Sequence, residues 1–184
     1  QLIYTLSLFK IAVIFVNSGE ESSFKIMSGK DIKIVHVSTH GFYYDNKNNE
    51  NDSSFFYLLQ QDSEDKVLTR SGLLFAGADN VLFDDGNDSS HDDGILTAQE
   101  ISTLDLRNVT LTSLSACQTA QGDIFGDGVF GLQRGFKKAG AQSILMSLWK
   151  VDDEATCLLM TEFYKNWIEH KMTKHNALEA AKQT

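Results

Sequence analysis

Three short runs of apolar and β-branched residues set the strongest limit on how this chain can fold. They are Ile32 to Val37 (IKIVHV), Val109 to Leu114 (VTLTSL) and Ser143 to Trp149 (SILMSLW). Continuous apolar character over so few residues indicates strands covered on both faces, as in a parallel sheet. Each run ends in small or polar residues: Ser38-Thr39-His40-Gly41, Ser115-Ala116-Cys117, and Lys150-Val151-Asp152-Asp153. The neighbouring segments have helical spacing. Gly128 to Lys138 places Val129, Leu132 and Phe136 on one stripe. Asp153 to Glu169 does the same with Leu158, Leu159, Phe163 and Trp167, with Asp152 or Asp153 as N-cap. Thr97-Ala-Gln-Glu100 reads as a capping box opening a further helix. Strands alternating with helices predict an α/β sandwich whose central sheet is mainly parallel and flanked by helices. In such sheets chemistry gathers at the carboxyl ends of the strands. Two of those ends carry His40 and Cys117.

Composition narrows the function. A chain of 184 residues corresponds to one domain, read here as spanning 1–184. A net charge of -9 repels phosphate backbones and argues against nucleic acid as a partner. Two cysteines, Cys117 and Cys157, are too few for a disulfide framework or a four-cysteine zinc site. Leu2 to Val16 is the most membrane-like stretch, but Thr5, Ser7 and Lys10 leave it short of the ~20 apolar residues of a spanning helix. It is expected to pack as a strand or helix, with no membrane partner and a cytoplasmic location. A chain beginning at Gln1 is expected to start inside a longer protein. Residues 42–94 crowd Asn, Asp, Ser and Gly around apolar islands at Phe55–Leu59 and Gly72–Phe75. They are expected to form a polar, hairpin-bearing insertion with loops at Asp45–Ser54 and Asp84–Asp93.

A thiol needs a base or a neighbouring cation to present a thiolate, because a free cysteine titrates near ~8.5. An imidazole can take that proton and later return it to a leaving amine. His40 and Cys117 each follow an apolar strand, so a parallel sheet brings both to one edge. The Gly41 and Cys117 amides stand ready as oxyanion donors. A lone cysteine at a strand end serves packing as readily as chemistry, and spacing alone does not separate the two readings.

The surrounding residues add a resemblance. Ile34-Val-His-Val-Ser-Thr-His-Gly41 and Leu114-Ser-Ala-Cys-Gln-Thr119 resemble the two catalytic motifs of the CHAT family, in the caspase- and separase-like group of cysteine peptidases. The likeness continues through Asp93 to Glu100, Gly126 to Leu132, Ala139 to Ala141, Leu148 to Thr156 and Phe163-Tyr164. It implies a caspase-like sandwich and a cysteine endopeptidase acting on protein or peptide substrates. His40 would be the catalytic histidine and Cys117 the nucleophile, with no cofactor and no metal. Family members usually continue after the Ala177–Ala181 helix into a final strand, which these 184 residues do not include. They often carry helical repeats upstream, a further partner of the domain. The alternative is a catalytically silent CHAT-fold module for protein interaction.

Asp152 and Asp153 follow the third strand, whose carboxyl end neighbours that of the Cys117 strand if the two pair in parallel. In separase, which this segment resembles, the acidic residue matching Asp153 lies in the pocket for the substrate's arginine. One aspartate could cap the helix while the other receives a basic side chain. Other motifs fit less well. Gly126-Asp-Gly-Val-Phe-Gly131 satisfies G-x-G-x-x-G but starts nine residues after Cys117 rather than directly off the strand, so a nucleotide site is disfavoured. His36 and His40 would stand about 13 Å apart on a strand, too far to share a metal. His36 is read as a satisfied core or supporting histidine. Asp93-Gly94 with Glu100 imitates half of a calcium loop, but Ser89 and His91 are the wrong ligands for its first positions. Cys157 is expected in the core.

Overall fold

The computed structural model describes residues 2–6, 9–15, 20–43, 66–78, 93–115, 127–147 and 152–183. They divide into two compact units, Gln1–Trp149 and Lys150–Thr184. The first unit carries both sheets. Strands β1 (Leu2–Leu6) and β2 (Phe9–Phe15) form an antiparallel hairpin. Helix α1 (Glu21–Lys25) then leads to β3 (Ile34–Ser38), and β3 pairs in parallel with β2. After β7 (Leu111–Leu114), helix α4 (Asp127–Lys138) returns the chain to β8 (Ile144–Met146), which pairs in parallel with β7. The sheet order is β1-β2-β3-β7-β8, so four strands run parallel and β1 opposes them. The three apolar runs of the sequence are β3, β7 and β8, and the membrane-like stretch is the β1–β2 hairpin. No helix among the described residues is long and apolar enough to cross a membrane.

A second, antiparallel sheet is built from β4 (His40–Tyr43), β5 (Ser71–Leu74) and β6 (Ile95–Thr97), in that order. Short helix α2 (Lys66–Thr69) precedes β5, and α3 (Ala98–Thr103) follows β6. In the stretch expected to form a hairpin-bearing insertion, β5 pairs antiparallel with both β4 and β6. Phe55–Leu59 and the loops at Asp45–Ser54 and 84–92 lie outside the described residues. Thr97 and Glu100 form the expected capping box: Glu100 N–H donates to Thr97 Oγ1 at 3.2 Å and Thr97 N–H to Glu100 Oε2 at 2.9 Å.

The core lies between the parallel sheet and the helices. Phe24 of α1 sits fully buried, 6.1 Å from the ring of Phe75 and 6.1 Å from that of Phe136 on α4. Edge-on and tilted aromatic contacts of this kind add about 0.5–1.5 kcal/mol beyond area burial. Leu132 and Phe136 hold the inner stripe of α4, as their spacing predicts. Gly135 on the same helix permits the approach of α3: a Cβ there would stand 2.5 Å from the Ala98 carbonyl oxygen. Gly128 and Gly131 fall inside α4, which starts at Asp127, and not in a turn before it.

The second unit contains α5 (Asp153–Tyr164), a π-helical turn (Lys165–Glu169) and α6 (Lys174–Ala181). Asp152 is the N-cap: its Oδ1 accepts from Ala155 N–H at 3.0 Å. Phe163 is buried and stacks on Trp167 at 5.8 Å, and Lys174 Nζ lies 5.6 Å from the Trp167 ring centre. Two expectations fail here. Leu158 is 64% exposed and Cys157 is exposed, not core. At 3.6 residues per turn, Leu158 lies about 140° around the helix from Phe163. The inward line is Met160, Phe163 and Trp167 instead.

A charged cluster fastens α1 to the start of β6 and to α3. Glu21 is 1% exposed, and its Oε2 accepts from Gly94 N–H at 3.1 Å. Its Oε1 pairs with Lys25, which also donates to Glu100 Oε1 at 2.9 Å. Burial pushes the Glu21 carboxyl up to about 7, with Lys25 pulling down and Glu100 and Asp93 pushing further up. A raised carboxyl favours the folded chain below its ordinary value of 4.5, and that contribution is lost as pH rises through about 7. Thermal melts of the wild type and Glu21→Gln are therefore expected to diverge from pH 5 to pH 8, with the wild type losing stability relative to the variant as the pH rises. Parallel curves over that range would refute the assignment.

Candidate active site

The residues named as candidates follow the ends of β3 and β7 in the sequence. These neighbouring parallel strands pair Ile34 with Leu111, Val35 with Thr112, His36 with Ser113 and Val37 with Leu114. The ladder closes with Ser115 N–H donating to the Val37 carbonyl at 2.9 Å. Three residues beyond Val37 stands His40; three residues beyond Leu114 stands Cys117. His40 opens β4, is exposed, and pairs with Leu74. Gly41 is buried beside it and pairs with Leu73. Cys117, with all of 116–126, lies outside the described residues.

Two side-chain bonds brace this edge. Thr39, 3% exposed, donates its hydroxyl to the Leu74 carbonyl oxygen. His36 Nε2 lies 3.0 Å from Ser115 Oγ. Burial holds the His36 imidazole below its ordinary value, so it is neutral at pH 7. His36 is thus the satisfied supporting histidine expected from its strand context. Its partner is not readable from the sequence. In register His36 faces Ser113, and Ser115, two residues on, shares that face; the pairing is visible only once the register is known.

The acidic residues expected near the site belong to the second unit. The Asp152 carboxylate caps α5, and its carbonyl accepts from Thr156 N–H at 2.9 Å and Oγ1 at 2.6 Å. Asp153 is the first residue of α5, and its side chain lies outside the described residues. Glu100, offered as the last ligand of a calcium loop, has both oxygens engaged, one by Lys25 and one by Thr97. Asp93 Oδ1 accepts from Ile95 N–H at 2.8 Å. Among the described residues no group of three His, Cys, Asp or Glu is arranged to hold a metal ion.

The fold and this edge define a mixed α/β protein with a parallel sheet, flanking helices and a histidine just past the end of a central strand. The chain belongs to the CHAT domain family, whose model matches residues 7–184. Among curated proteins it is similar to tetratricopeptide repeat protein 28 of Mus musculus, 37% identical over 89 residues. That segment is 48% of this chain and 4% of the relative. The Homo sapiens protein of the same name is 38% identical over 72 residues, 39% of this chain and 3% of its own length. The chain therefore spans a small part of these much longer relatives. No solved structure matches it.

The His36–Ser115 bond has a measurable consequence. A hydrogen bond of this kind contributes about 1 kcal/mol net. In a chain of this size Ser115→Ala is expected to lower the melting temperature by roughly 2–4 °C. An unchanged melting temperature would mean that the bond carries no net stability.

Proposed function

We propose that this chain is a cysteine endopeptidase with a caspase-like sandwich fold, in which Cys117 is the nucleophile and His40 its base. The supporting observation is the register of the two central strands: Val37 and Leu114 are partners, and His40 and Cys117 each follow them by three residues in the sequence. His40 takes the thiol proton, and the thiolate attacks the carbonyl carbon of the scissile peptide bond. The Gly41 and Cys117 amides hold the oxyanion, each such donor contributing about 3 kcal/mol. As the intermediate collapses, the carbon–nitrogen bond breaks and His40 passes its proton to the leaving amine. A thioester remains. Water, deprotonated by His40, then attacks it, releasing the acid product and the thiol. The reading treats 1–184 as one domain with 42–94 inserted, which the family match across 7–184 supports. Its substrate is a protein or peptide, and repeat regions of a longer chain are partners consistent with the relatives' names.

The second reading is a catalytically silent module for protein interaction. What favours it is that the relatives are named as repeat proteins rather than as enzymes. A thiol-reactive peptide electrophile separates the two. Capture at Cys117 that depends on His40 supports the peptidase; indifference to His40 supports the module. A thermal shift with NAD or ATP that survives Cys117→Ala would instead point to the Gly126 loop.

Cys117→Ala and His40→Ala are each expected to abolish turnover while leaving circular dichroism unchanged. Their losses should be alike and non-additive, because the two groups act as one unit. Near-normal activity in His40→Ala would require another base.

Asp153 is assigned to the pocket for a basic residue on the acyl side of the cut bond, Asp152 being engaged as the cap. Hydrogen bonds to charged groups contribute about 1.5–3 kcal/mol, so Asp153→Asn should reduce kcat/KM for arginine peptides by roughly 10- to 100-fold. Profiling a peptide library decides it: efficient cleavage after Leu or Asp, with Arg and Lys disfavoured, would sink the assignment.

A further inference from the structure

The chain changes sheets at a single residue. β3, in the parallel sheet, ends at Ser38, and β4, in the antiparallel sheet, starts at His40. Thr39 is all that lies between. Its side chain is buried, and its hydroxyl donates to the main-chain oxygen of Leu74. Leu74 is also the residue with which His40 pairs. The strand carrying Leu74 is the central one of its sheet, and Leu74 pairs on its other side with Ile95. Just beyond, Phe75 N–H donates to the Gly94 carbonyl at 2.6 Å, and Asp93 Oδ1 holds the Ile95 amide. The acceptor that receives Thr39 is thus fixed from both sides.

We propose that Thr39 is a positioning residue for His40. The inference rests on the reading of His40 as the base of Cys117. The His40 backbone is tied to Leu74 by strand pairing, and Thr39 ties the preceding residue to the same point. Together they fix both the position and the heading of the chain as it delivers the imidazole. A β-branched residue suits the extended junction, since its side-chain torsion is restricted there. The hydroxyl supplies what packing alone would not. A valine of similar shape would fill the space but turn a methyl group toward the Leu74 carbonyl oxygen. Misplacing a catalytic group by about 1 Å can cost 10²-fold in rate.

The test uses the 184-residue chain with Cys157→Ser, which leaves Cys117 as the one thiol, and follows iodoacetamide alkylation against pH. If His40 activates Cys117, the profile inflects below the ~8.5 of a free thiol, and His40→Ala moves it up. Thr39→Val is expected to move the inflection about one unit toward that of His40→Ala. Below the inflection that shift lowers the alkylation rate about tenfold, because each unit changes the thiolate fraction tenfold. Thr39→Ser, which keeps the hydroxyl, is expected to restore the wild-type profile. Thr39→Ala supplies the same comparison should the valine variant lose its native circular dichroism. If His40→Ala shifts the inflection and neither Thr39→Val nor Thr39→Ala does, the proposal falls and the dyad stands. A lowered melting temperature with an unmoved inflection overturns it in the same way. If His40→Ala itself leaves the profile unchanged, the dyad reading fails and takes this inference with it.

Discussion

The pairing of β3 with β7 is the constraint on which the rest depends. Ile34, Val35 and Val37 are fully buried on β3, and every residue from Leu111 to Leu114 is buried on β7. A strand slipped by one residue turns its side chains to the opposite faces of the sheet. Here such a slip would also take Ser115 away from both its partners, the Val37 carbonyl and His36. The register is therefore held by burial and by specific bonds at its carboxyl end. Because the chain runs only two residues from Ser38 to His40, and three from Leu114 to Cys117, that register also governs what the two strands can present at one edge.

The buried Glu21 looks like a liability until its contacts are followed. Taking a carboxylate out of water is costly, and an ion pair in such a place seldom gains more than it loses. Its contribution is geometric. Gly94 has φ +76, and a Cβ there would stand 2.4 Å from Ala78 N, so this turn is sterically demanding and admits only glycine comfortably. Glu21 accepts from the amide of that turn, and Lys25 carries the connection on to Glu100, whose other oxygen belongs to the capping box of α3. One carboxylate thus ties α1 to the entry of β6. Through β5 the same sheet reaches β4 and His40.

What was legible in the sequence was whatever local chemistry decides. Apolar runs marked β3, β7 and β8; Thr97 with Glu100 marked the start of α3; the aspartates at 152 and 153 marked the start of α5. Features that depend on partners distant in the chain were not legible. β4, β5 and β6 have only three or four residues each and meet across long polar stretches, so the antiparallel sheet left just a hint of a hairpin. Glu21, an acid near the start of a short helix, gives no sign of burial in its own neighbourhood. That Gly135 matters for helix packing is not announced beside it, because close approach there is decided by Ala98, 37 positions earlier in the chain. Leu158 was misjudged for a related reason. Apolar character put it on the inner stripe, but Met160, Phe163 and Trp167 define that stripe a different way around the helix.

The two histidines of the β3–β4 segment show how burial divides labour between identical side chains. His36 lies within the parallel sheet, is held neutral, and has Ser115 as its partner. A charged imidazole at that point would have to be carried by a mostly apolar layer, which is the cost that lowers its proton affinity. His40, four residues on, has crossed into the antiparallel sheet and faces solvent, where an imidazole can meet a substrate and exchange protons. The same residue type becomes a brace in one sheet and a candidate base in the other. The change of environment is completed across Thr39. The exposure of this candidate base therefore depends less on having a histidine in the motif than on where the chain leaves the first sheet.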